Sequence, residues 1–166
     1  MYFDKLNAIM EGEAEGYSHW YSMYHEKPGY ILQSDFSYMI SPDMFKEFVA
    51  SELSSSADRL YGAVYHLDGM GEIPHLDTIL AMESIKGIQW VPGAGDPEKM
   101  NWDDLLRRIL DAGKKVIRLS QRPDGAPIDV CADRLGQLYF EPRYFHVNQM
   151  EEARRYAGRY GISIIE

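Results

Sequence analysis

The chain has 166 residues, 45% of them hydrophobic and 13% aromatic, enough to bury the core of one domain and unlike the composition of disordered chains. Its formal net charge of −9 argues against a duplex nucleic-acid binder, which relies on basic phosphate contacts. A single cysteine, Cys131, excludes an internal disulfide framework and a cysteine-based zinc knuckle. No apolar run approaches the ~18 residues of a membrane span, and the N-terminus lacks the basic-then-apolar pattern of an export signal, so no membrane and a cytoplasmic location are expected.

Residues 2 to 14 read as a helix. Residues 16 to 29 follow as an aromatic-rich connection with His19, Trp20, Tyr21, Tyr24 and His25, expected to be a lid or a dimer contact with its histidines on the surface. Tyr30 to Phe36 is the first strand. Ser41 then stands as N-cap and Pro42 at the first position of a helix running to about Ser56, with Phe45, Phe48, Val49 and Leu53 on its apolar face. The run Tyr61 to Tyr65 predicts a buried strand, followed by a helix over Pro74 to Met82. Ile85 to Val91 is another strand, ending in Pro92-Gly93-Ala94-Gly95.

Trp102, Leu105, Leu106, Ile109 and Leu110 recur at helical spacing before Gly113, which stands where a helix C-cap belongs. Lys115 to Leu119 is the next strand, and a weaker helix covers Ala126 to Leu135. Cys131 lies within that helix, with no basic neighbour to activate its thiol. A last strand falls within Leu138 to Val147, a closing helix over Gln149 to Tyr160, and an apolar tail over Ile162 to Ile165. The whole chain, 1–166, is expected to be one α/β domain of about five parallel strands with intervening helices and right-handed crossovers. Periodicity alone does not choose between an open doubly wound sheet and part of a (β/α)8 barrel.

The chemistry concentrates in Tyr65-His66-Leu67-Asp68-Gly69-Met70-Gly71, at the end of an apolar strand where α/β folds form sites. His66 and Asp68 are two residues apart, so on a continuing strand both point to one face. The alternative is a hydrogen-bonded core histidine and an aspartate that caps the following helix. Glu72 and His75, a few residues on, are candidate bases or partners of such a site, and Asp35 at the end of the first strand is a candidate for the same mouth. Trp90, Gly93 and Gly95 are candidate pocket-wall and cofactor-contact residues, although a lone glycine cluster also reads as a tight turn. The order of residues offers no Ser-His-Asp nucleophile elbow.

Taken together, SDFSYMISPDMFKEF, YHLDGMGEIPHLD, IQWVPGAG and the helix ending in DAGKKV resemble the C-terminal part of the uroporphyrinogen decarboxylase-like superfamily. The resemblance covers roughly Gln33 to Gly161. It implies strands four to eight of a TIM-type (β/α)8 barrel, an architecture that takes about 250 residues when complete. It further implies either a metal-dependent methyltransferase working between a corrinoid and a thiol, or a tetrapyrrole decarboxylase. In the methyltransferases the resemblance suggests a zinc bound through an H-x-C motif, whose histidine matches His66 and whose cysteine position is Asp68 here. A further ligand after the last strand matches His146. His66, Asp68 and His146 would suit zinc or ferrous iron. The arginine-rich segment of the decarboxylases has no counterpart in this sequence, and an acidic chain is a poor host for a polycarboxylate.

Part of a barrel leaves a sheet edge and an apolar interior uncovered, so a homo-oligomer formed through that edge or open face is expected. A small molecule or a corrinoid protein is the expected further partner. A non-catalytic half-barrel module is the remaining alternative.

Overall fold

The computed structural model describes residues 2–10, 16–18, 23–93, 100–117, 138–139 and 147–159. Helix α1 (Tyr2–Met10) precedes a small antiparallel hairpin of β1 (Tyr17–Ser18) and β2 (Tyr24–His25). The main sheet then contains β3 (Gly29–Leu32), β4 (Gly62–Asp68), β5 (Ile85–Val91), β6 (Lys115–Ile117) and β7 (Leu138–Tyr139). Each strand lies parallel beside the one before it in the chain. Helices α2 (Pro42–Phe48) and α3 (Ala50–Ala57) follow β3, α4 (Leu76–Leu80) follows β4, α5 (Asp103–Asp111) follows β5, and α6 (Met150–Arg159) follows β7.

A parallel sheet whose order never reverses puts every right-handed crossover on the same side. Helices α2 to α5 accordingly share one core with Ala63, Tyr65 and Leu67 of β4, Ile88 and Trp90 of β5, and Val116 of β6. The alternate residues form a second, smaller cluster of Ile31, Val64 and Ile117 with Met23 from the segment leading into β2. The sheet therefore has a helix-covered outer face and an inner face with the hairpin at its amino end. Among the described residues β3 and β7 each pair with a single neighbour in this sheet.

Several boundaries differ from the sequence reading. The first strand stops at Leu32, because Asp35–Met39 fold as a 3-10 turn. Ser41 caps α2 as expected, its hydroxyl accepting the Met44 N–H at 3.3 Å, but the helix breaks at Val49 and restarts at Ala50. That break keeps Phe45 and Leu53 in the core and turns Phe48 outward, 58% exposed. Strand β4 continues three residues beyond Tyr65, so His66 and Asp68 lie within the strand. Pro74 does not open the next helix. It lies in a 3-10 turn over Met70–His75, and α4 begins only at Leu76, in keeping with the way proline biases its predecessor away from α geometry. Gly113 adopts a φ of 74° just past α5, as its C-cap role requires.

The hairpin within the aromatic connection was not foreseen. His25, expected on the surface, is half-buried, and its ring lies in a slot between Gly29 and Gly62. These two glycines are register partners of β3 and β4, and a Cβ on either would come within 2.6 Å of the imidazole. The expected helix around Cys131, the apolar tail over 162–165, and His19 and Trp20 lie outside the described residues.

Candidate functional site at the carboxyl end of the sheet

The 3-10 turns that follow β3 and β4 bring Asp35, Asp68 and Glu72 to one open pocket of about 290 Å³, with Tyr38 and Met39. Gly69 and Gly71 make this possible. The Tyr38 ring lies against both, and a Cβ would stand 2.9 Å from it at Gly69 and 2.7 Å at Gly71. Gly69 also takes a φ of 82°, which turns the chain from the strand into the 3-10 turn.

Glu72 is 1% exposed. Its Oε2 accepts the Tyr65 hydroxyl at 3.2 Å and the Asp68 backbone N–H at 3.3 Å. Burial pushes the Glu72 carboxyl up to about 7. The two hydrogen bonds oppose that rise, while the charges of Asp68 and Asp35 reinforce it. The Tyr65 phenol is likewise raised, first by burial and then by the Glu72 charge.

His66 lies on the inner face opposite its register partner Gln89, and its Nδ1 contacts Gln89 Oε1 at 2.5 Å. An amide oxygen only accepts, so Nδ1 is the donor in this contact. Asp68 Oδ2 stands 3.8 Å from the ring's Nε2. At that distance the two form an ion pair whenever the imidazole is protonated. Gln89 is fully buried, and its Nε2 makes no hydrogen bond to a described residue.

The remaining candidates fall elsewhere. His75 is fully buried behind the pocket, its Nε2 donating to the Ser37 carbonyl at 2.8 Å and its ring stacked on Phe45. It ties the turn bearing Asp35 to the turn bearing Glu72, which matches the partner role of the two expected for it, partner or base. Trp90, expected as a pocket wall, packs on the helix-covered face, edge-on to Trp102 with centroids 5.0 Å apart. Gly93 follows β5 with a φ of 87°. Gly95 and His146 lie outside the described residues.

The donors present fit a zinc or ferrous ion in kind. Ligands on a tetrahedral zinc at about 2.0–2.1 Å stand roughly 3.3 Å apart, so the His66–Asp68 pair needs to close by a few tenths of an ångström. The orienting bond from Nδ1 to Gln89 is the kind that metal-binding histidines make. Among the described residues no third histidine, cysteine or carboxylate completes a metal-binding group.

Sequence reasoning passed over Tyr65, Tyr38 and Gln89. Gln89 had a legible signal, an amide within the otherwise apolar stretch from Gly87 to Val91, because a buried polar side chain must find a partner. No described helix is long and apolar enough to cross a membrane. No family model, no curated protein and no solved structure matches this chain.

Proposed function

We propose that this chain forms the strand-four-to-eight part of a (β/α)8-type barrel of the uroporphyrinogen decarboxylase-like kind, from the branch that transfers methyl groups between a corrinoid and a thiol. The observation that carries the reading is the buried Glu72 beside Asp35 and Asp68 at the carboxyl end of the sheet. That is the end at which such barrels build their sites, and a sheet wound in one direction with helices on one face is the arrangement from which barrels close. The acidic mouth also favours methyl transfer over decarboxylation, because the Asp35 and Asp68 carboxylates repel a polycarboxylate substrate.

In this reading His66 and Asp68 hold a zinc or ferrous ion, which when bound lowers the pKa of a thiol or water to give a nucleophile near neutral pH. Gln89 fixes the His66 ring so that Nε2 faces outward. Glu72 takes the proton that the incoming thiol loses: the S–H bond breaks and an O–H bond forms on the carboxyl. With a pKa of about 7 it is suited to both taking and returning that proton near neutrality. Asp68, where the resembled motif has cysteine, makes the site harder and more acidic. No described residue is specific to a corrinoid, so the reading assigns that partner none.

Elemental analysis of the untagged chain tests the site, beside a variant carrying His66→Ala and His146→Ala. Near-stoichiometric zinc or iron that the variant loses is the expected result. A wild-type chain that takes up no more zinc than the variant, after dialysis against excess zinc, would sink the metal reading.

Assembly through a second copy has its own support. Tyr30 of β3, Phe36 of the following turn, and Met44 and Phe48 of α2 are 41 to 58% exposed, an apolar population on the elements at the open edge of the sheet. Light scattering behind gel filtration is expected to give the mass of two chains. The mass of one would remove the proposal.

A further inference from the structure

At the opposite, amino end of the same sheet lies a cavity of about 480 Å³ whose polar lining sets Lys86, Lys114, Lys115 and His25 against a single carboxylate, Glu83, with Tyr61 beside them. Lys114 is 7% exposed, and its Nζ donates to the carbonyls of Met82 and Ile85, both at 2.7 Å. An ammonium has three N–H donors, so one remains for the cavity. Lys115 is the next residue and opens β6. Lys86 reaches the same rim because of a bulge: Ala63 pairs with Ile85 but Val64 with Gly87, which leaves Lys86 as the extra residue. Its Nζ donates to the Glu83 carbonyl at 2.8 Å. None of these three lysines makes an ion pair with a described carboxylate.

The cost of this crowding is visible in two groups. Burial, then the like charge of Lys86, pull Lys114 below the usual lysine range, with Glu83 opposing. His25 is pulled down by burial and by Lys115. In a chain of net charge −9, three lysines gathered in one cavity with one carboxylate, Glu83, in its lining are the exception. A buried charge of this kind is stabilised by an anion. The rest of the lining includes Met23, Val64 and Ile117, the apolar cluster of the inner face.

We infer that this cavity is an anion site for a small phosphate-bearing molecule, its phosphate held by Lys86, Lys114 and Lys115 and its organic part against the apolar inner face. Among the described residues no arginine lines the cavity. Arginine forks suit planar carboxylates bidentately, whereas lysines act as point charges that a tetrahedral phosphate can meet from several directions. The site is separate from the carboxyl-end pocket and does not rest on the reading given for it.

Isothermal titration of the 166-residue chain with pyrophosphate, and with citrate as a carboxylate of comparable charge, tests the inference. Pyrophosphate is expected to bind more tightly than citrate. The affinity is expected to fall at least tenfold in the Lys86→Gln, Lys115→Gln double variant and to stay unchanged in Asp68→Asn. Both lysines are exposed, so the double variant should keep its fold, which circular dichroism checks; the single Lys86→Gln variant serves if it does not. Absence of binding at millimolar pyrophosphate, equal affinity in the lysine variants, or citrate binding as well as pyrophosphate would each overturn it.

Discussion

The two ends of the sheet β3 to β7 carry opposite charge yet share a physical device. At the carboxyl end Glu72 is buried near Asp35 and Asp68, and its pKa rises to about 7. At the amino end Lys114 is buried near Lys86, and its pKa falls. In both places desolvation and a like charge push the group toward its neutral form. The difference lies in what offsets the strain. Glu72 has two hydrogen-bond donors on one oxygen and can simply hold a proton, whereas Lys114 has two carbonyls and gains from an anion. On the readings proposed above, the carboxyl end moves protons and the amino end attracts a charged ligand.

The largest expected effect tests whether the two ends belong to one cooperative unit. Ile88 is fully buried on the helix-covered face of the central strand β5, between the two ends. Ile88→Ala should cost about 2–5 kcal/mol, from lost burial plus the cavity left behind. Hydrogen exchange at His66 and at Lys115 should accelerate together; protection lost at one end alone would break the unit in two.

Glu72→Gln separates the ends by pH. The Glu72 pKa is about 7 in the fold against 4.5 for the ordinary carboxyl, so the folded state binds the extra proton between these values. Its stabilising contribution is complete below pH 4.5 and is lost as pH rises toward 7, roughly 3 kcal/mol in all. Urea unfolding at pH 5 and pH 8 should show that loss in the wild type and not in Glu72→Gln. Equal slopes in the two would remove Glu72 as the proton-holding group.

A smaller effect confined to the amino end comes from Gly62→Ala. The new Cβ would stand 2.6 Å from the His25 ring, and displacing the imidazole should cost about 1–3 kcal/mol. The Glu72 titration, followed by carbon NMR, should not move; if it does, the ends are coupled through β4. The smallest effect is expected from Asp68→Asn. Removing that charge while keeping the backbone N–H should bring the Glu72 pKa downward from about 7, because the Asp68 charge raises it. A rise instead would mean that the lost carboxylate had been accepting from a donor that now turns on Glu72.

Much of the frame was legible in the residues. Ile85–Val91 came out with the bounds its apolar run gives, Gly113 ended α5, and Ser41-Pro42 opened α2. Asp35, Asp68 and Glu72 were each singled out, and the fold brings all three to one pocket. Other assignments missed because a single residue's neighbours across the sheet have no trace in local pattern. Trp90 was expected as a pocket wall but strand alternation puts it on the helix side, and His75, read as a base or a partner of the site, is buried between Phe45 and Ser37. Gln89 became visible only as the register partner of His66.

The sequence by itself determined the alternation of strand and helix, because apolar periodicity and capping chemistry act over a few residues. It also determined that His66 and Asp68 share a face, since side chains on a strand alternate with a period of two. Only the tertiary structure decided that burial raises the Glu72 carboxyl to about 7, that Tyr38 lies over Gly69 and Gly71, and that a bulge brings Lys86 to the rim beside Lys114. Desolvation, ring-on-glycine contact and strand register all depend on groups distant in the chain, so no local pattern can report them.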